Sequence, residues 1–144
     1  MPNSQNLRFK ATVLKDGQFD HPPGEPLMRR LYAALAASGW STNEMDNWRD
    51  CGWSFLCQRD HSKLLVVLCQ IPNEEWLLQI APERNPGFVG RLIGRKPSAT
   101  FTEVYTLAID VHHALSSLQS LNSPRWRWDG FPDDTHSTVE PIAV

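Results

Sequence analysis

The stretch from residue 52 to residue 81 constrains this chain more than any other. Three strand-like runs, residues 52–59, 63–71 and 76–81, are separated only by Asp60-His61-Ser62 and by a turn that opens with Pro72-Asn73. Connections this short cannot make the crossover that parallel neighbours need, so the runs pair as an antiparallel meander. The middle run is nearly continuous in Leu and Val from residue 64 to residue 69, the pattern of a central strand covered on both faces.

The flanking segments supply the other elements. Leu7, Phe9, Ala11 and Val13 alternate with Arg8, Lys10 and Thr12, which predicts a half-buried strand over residues 7–14. Pro26 suits a first helical turn, Leu27, Leu31, Ala34, Leu35 and Ser38 share one helical face, and Gly39 stands where a helix ends; together they predict a helix over 26–38. Thr100 and Glu103 have the spacing of a capping box, and the apolar residues that follow keep helical spacing to 118, predicting a second helix over 101–119. Residues 82–98 between sheet and helix form a connection rich in Gly and Arg. After it, Arg125-Trp126-Arg127-Trp128 alternates cation and indole, and both tryptophans are expected to cover the open sheet face. The order β-α-β-β-β-α describes an α+β domain: an antiparallel sheet of about four strands with two helices on one face. The expected division is one domain over 1–131 and an acidic, disordered tail over 132–144. A chain of 144 residues buries ~70% of its unfolded surface and needs no metal or disulfide to fold.

Charge narrows the partners. The net charge of -2 gives no global reason to expect nucleic acid. The balance is uneven, though: Arg84, Arg91, Arg95, Lys96, Arg125 and Arg127 face only Glu103 and Asp110 over residues 84–128, and an acidic stretch follows. No apolar run approaches the roughly 20 residues of a membrane span, and the polar start is unlike a secretory signal. Three cysteines, odd in number and without metal-ligand spacing, fit a reducing cytoplasm. No cofactor or metal is implied.

Six tryptophans are the compositional anomaly. Trp48, Arg49, Asp50 and Trp53 cluster with Cys51, and Trp and Arg are the residue types that dominate binding hot spots. An enzymatic alternative, a small hydrolase or transferase, would use Cys51 as nucleophile, His112 or His113 as base and Asp110 to orient it; Cys51 precedes a strand instead of opening a helix, and no hydrolase signature surrounds it. Asp110 and His113 stand one helical turn apart, but no further metal ligands accompany them. The glycines and cations of segment 84–96 suggest anion or nucleic-acid binding through Arg91, Arg95 and Lys96. The competing reading is a loop that buries Phe88, Val89, Leu92 and Ile93 and keeps its charges in water. The reading favoured overall is a non-catalytic protein-binding module of adaptor, chaperone-like or toxin-neutralising type, with a homodimer through the open face or an edge strand as one assembly.

Overall fold

A computed structural model describes residues 4–11, 22–84 and 88–143, apart from the side chain of Arg91. The meander forms with β4 (Gly52–Arg59), β5 (Ser62–Ile71) and β6 (Glu75–Pro82), all antiparallel; Arg59 stands opposite Ser62 and Ile71 opposite Glu75. The sheet is wider than the expected four strands. Strand β1 (Gln5–Lys10) pairs the far side of β6, β7 (Asn122–Trp128) pairs β1, and two short strands, β2 (Ser41–Thr42) and β3 (Asp46–Trp48), share the outer edge of β4. The result is a seven-stranded antiparallel sheet. The undercount has a physical cause: β2 and β3 are too short and too polar to show alternation, and β7 is an edge strand specified by its pairing with the distant β1. Residues 12–14 of the expected first strand lie outside the described residues.

Helices α1 (Glu25–Ala37) and α3 (Phe101–Ser117) take the positions predicted for them, and a third, α2 (Phe88–Leu92), interrupts the Gly/Arg-rich connection. The capping box is present at the start of α3: Thr100 accepts from the Glu103 amide, and the Glu103 carboxylate accepts from the Thr100 amide. That carboxylate also accepts from Ser62 Oγ, which ties the helix start to the start of β5. Gly24 caps α1 in a left-handed conformation, and a Cβ there would lie 2.6 Å from the Trp76 ring.

Strand alternation divides the sheet into two faces. Leu7 and Phe9 of β1, Trp53, Phe55 and Cys57 of β4, Leu64, Val66 and Leu68 of β5, and Trp76, Leu78 and Ile80 of β6 point one way. They meet Leu27, Met28, Leu31 and Leu35 of α1 and Val104, Leu107, Ala108, Val111 and Leu115 of α3 in one buried cluster. Burying each such side chain contributes about 1.5–3 kcal/mol, so this layer dominates the stability. Trp126 belongs to it as well. It pairs with Leu7, is fully buried, and so covers the helix face and not the open face expected for it. The register of β7 on β1 decides this, and nothing local to Arg125-Trp126-Arg127-Trp128 encodes that register.

The opposite face carries Ser54 and Leu56 of β4, Leu65, Val67 and Cys69 of β5, and Leu77, Gln79 and Ala81 of β6. At its β1–β7 end, Arg8 pairs with Glu75 and Asp134 and lies over the Phe131 ring. The acidic C-terminal segment then passes around β7. Thr138 exchanges both backbone hydrogen bonds with Trp126, and the Ile142 backbone is gripped by the Gln5 side-chain amide, which donates to its carbonyl and accepts from its amide.

Candidate functional site

Strands β3 and β4 make a hairpin whose turn is Arg49-Asp50-Cys51. Arg49 and Asp50 both have positive φ (51° and 59°), and Cys51 donates its amide to the Trp48 carbonyl. Such a conformation costs least for Asn, Asp or Gly, and here Asn47 supports it: its Oδ1 accepts from the Asp50 amide at 2.8 Å and its amide nitrogen donates to the Asp50 carboxylate. The exposed Arg49 guanidinium lies 4.8 Å from the centre of the half-exposed Trp48 ring, a cation–π platform at the hairpin tip.

Of the four residues expected to bind a partner, the turn therefore presents Trp48, Arg49 and Asp50 to solvent. Trp53 is different. It is buried on the helix face and donates its indole N–H to the Pro22 carbonyl at 2.9 Å. Trp40 is buried too; its indole N–H donates to Asp110 Oδ2 at 2.7 Å while the Arg59 guanidinium stacks 4.0 Å above its ring and reaches the same carboxylate at 3.7 Å.

Beside the hairpin, the open face holds a cleft of about 530 Å³ lined by Asp46, Trp48, Ser54, Leu56, Leu65 and Glu83 among others. Asn43 sets one wall. It exchanges hydrogen bonds with the Leu56 backbone at the break between β2 and β3.

Cys51 does not meet a histidine. Its thiol is exposed, donates to the Trp48 carbonyl at 3.3 Å, and stands 3.4 Å from the thiol of Cys69. Cys69 belongs to the open face, whereas His112 and His113 are on α3 against the other, so the sheet lies between thiol and imidazoles. His112 Nδ1 instead accepts from the indole N–H of Trp126 at 3.1 Å. Burial lowers its pKa; Glu140 opposes that shift and His113 adds to it. Asp110, the expected orienting carboxylate, is engaged by Trp40 and Arg59. Among the described residues no group of His, Cys, Asp and Glu side chains could hold a metal ion.

The basic connection gives the largest departure from expectation. Its neck is closed: the Ser98 amide donates to the Arg84 carbonyl, Ser98 Oγ accepts from the Arg84 amide and donates to the Lys63 carbonyl, and Arg84 Nε donates to the Lys96 carbonyl. Beyond the neck, Phe88, Val89, Leu92 and Ile93 are 79%, 70%, 70% and 67% exposed, so the loop does not bury its apolar residues as anticipated. Among the described residues, the bonds that tie this segment to the rest of the chain lie at the neck, and no packing surface covers these side chains. Arg95 and Lys96 are exposed beside them, and the Arg91 side chain lies outside the described residues. The sequence displays both the cations and four large apolar residues within six positions, Phe88, Val89, Leu92 and Ile93, but not the exposure of the latter.

No protein-family model matches this chain, and no curated protein matches it. No helix among the described residues is long and apolar enough to cross a membrane.

Proposed function

We propose that the chain is a non-catalytic protein-binding module whose principal contact is the loop over residues 88–96. The observation that carries this reading is the exposure of Phe88, Val89, Leu92 and Ile93 together on one short turn. Contiguous exposed apolar groups on a small protein mark an interaction surface. Arg84, Arg95 and Lys96 flank the patch, and no acidic side chain occurs between residues 84 and 102. The complementary partner is a protein that offers an apolar pocket rimmed by carboxylates. Trp48 and Arg49 add a second contact at the hairpin tip; buried Trp53 takes no direct part. A flat anionic lipid surface is the poorer match, because Asp46 and Glu83 line the cleft on the neighbouring face.

The test compares the full chain with a Phe88→Ser/Ile93→Ser variant in affinity capture from native extract, followed by titration of the recovered protein in purified form. Both positions are more than two-thirds exposed, so the fold tolerates the change. Burying the two side chains in a partner contributes about 3 kcal/mol, so the variant should bind about a hundredfold more weakly. The wild-type affinity should also fall with added salt. Equal recovery by both proteins, or flotation of the wild type with phosphatidylglycerol vesicles in place of a protein partner, would sink the proposal.

A further inference from the structure

Independently of that reading, Cys51 and Cys69 make a built pair. Eighteen residues apart in sequence, their thiols stand 3.4 Å apart on the open face. Two further features put them there. Cys69 is directly opposite Gly52, and a Cβ on residue 52 would lie 2.7 Å from Cys69 Sγ; the glycine leaves the space through which the Cys69 side chain crosses β4 toward the turn. Cys51 sits in that turn with its thiol open to solvent, while Cys69 is half-buried behind it in a central strand. The third cysteine, Cys57, is buried on the opposite face and cannot enter the pair.

We propose that Cys51 and Cys69 form a thiol–disulfide exchange site that takes low-molecular-weight disulfides. The exposed Cys51 gives its proton to solvent and its sulfur attacks one sulfur of the disulfide. The S–S bond of the small molecule breaks, one thiolate leaves and is protonated, and Cys51 holds the other half as a mixed disulfide. Cys69 then loses its proton to solvent and attacks Cys51 Sγ. The intramolecular S–S bond forms, the bond to the small molecule breaks, and the second thiolate leaves and is protonated. Two protein thiols are oxidised and one disulfide is reduced to two thiols, with no other oxidant. A separation near 3.4 Å already lies in the range of a near-attack arrangement. The adjustment needed for bonding falls on the exposed turn, not on β5. Burial first, and then the hydrogen bond with Cys51, push the Cys69 thiol up to about 12, which makes Cys51 the entry point and Cys69 the slower, resolving partner. Closure fastens the hairpin tip, and with it the Trp48–Arg49 platform, to the middle of the sheet.

The full chain is incubated with oxidised glutathione near neutral pH, quenched with acid, alkylated under denaturing conditions and mapped by mass spectrometry. The expected product has a Cys51–Cys69 cross-link, an alkylated Cys57 and no retained glutathione. Cys69→Ser should stop with glutathione on Cys51, and Cys51→Ser should lose the reaction. A wild type that stays reduced, keeps glutathione on Cys51, bridges to Cys57 or links two chains overturns the proposal. The wild-type map decides the matter even if a variant folds poorly.

Discussion

Gly52→Ala tests how closely β5 packs over this position of β4. A Cβ at this position would lie 2.0 Å from the Leu68 carbonyl oxygen, 2.9 Å from its carbon and 2.7 Å from Cys69 Sγ. Two of those atoms are backbone of a central strand, so no rotamer change relieves the overlap. The substitution also stiffens the unfolded chain, which by itself stabilises by about 0.4–1 kcal/mol. Relief of the clash requires β4 and β5 to part locally, and overpacking of this kind costs about 1–3 kcal/mol or somewhat more against backbone. The net expectation is a loss of about 2 kcal/mol. With a urea dependence of about 2 kcal/mol per molar, the unfolding midpoint should fall by about 1 M at unchanged slope. The assay is equilibrium urea unfolding followed by tryptophan fluorescence and, in parallel, by far-UV circular dichroism. An unchanged or raised midpoint would mean that the unfolded-state term prevails, and would refute the claim that β4 and β5 close over a position able to hold only glycine.

Removal of the Asp110 carboxylate in Asp110→Ala leaves the indole N–H of buried Trp40 without its acceptor, at a cost of about 2 kcal/mol. Combined with Trp40→Phe, the loss in a thermal or urea melt should be smaller than the sum of the single losses, and strict additivity would contradict the bond. Because the His112 pKa is depressed in the folded protein, below its ordinary 6.5, its contribution to stability is complete above that value and is lost as the pH falls from there through the folded value. His112→Asn should flatten that part of the stability–pH curve; identical slopes for the two proteins would show that His112 is not responsible.

The parts of the fold visible in the sequence are those that local chemistry decides. The turn at Asp60-His61, the Pro26 helix start and the Thr100–Glu103 cap each determine their structure within a few residues. Strands β2, β3 and β7 were illegible because an edge strand is specified by its partner. Trp126 illustrates the difference: its face follows from pairing with Leu7, over a hundred residues away. The thiol pair falls between the two cases. With Arg59 opposite Ser62, counting back along both strands brings Gly52 opposite Cys69 and leaves Cys51 one residue away. The tight turn thus fixes the pairing, because its register propagates to the far end of the hairpin. The exposed patch on α2 could not be read locally, because whether an apolar side chain finds a surface depends on what the rest of the chain places nearby.

The course of residues 132–143 around β7 bears on how the molecule behaves in a crowded solution. A sheet this wide has two borders at which unpaired amides could recruit a strand from another chain. One border is broken into β2 and β3, with the Asn43 side chain filling the gap. At the other, Pro124 has no amide hydrogen to offer, and Thr138 already occupies both outward groups of Trp126. Strand-by-strand growth into fibrils or swapped sheets is therefore hindered at both borders of the described sheet. A truncation before Thr138 would remove this guard and free the outward groups of Trp126, and its first symptom would be loss of colloidal stability.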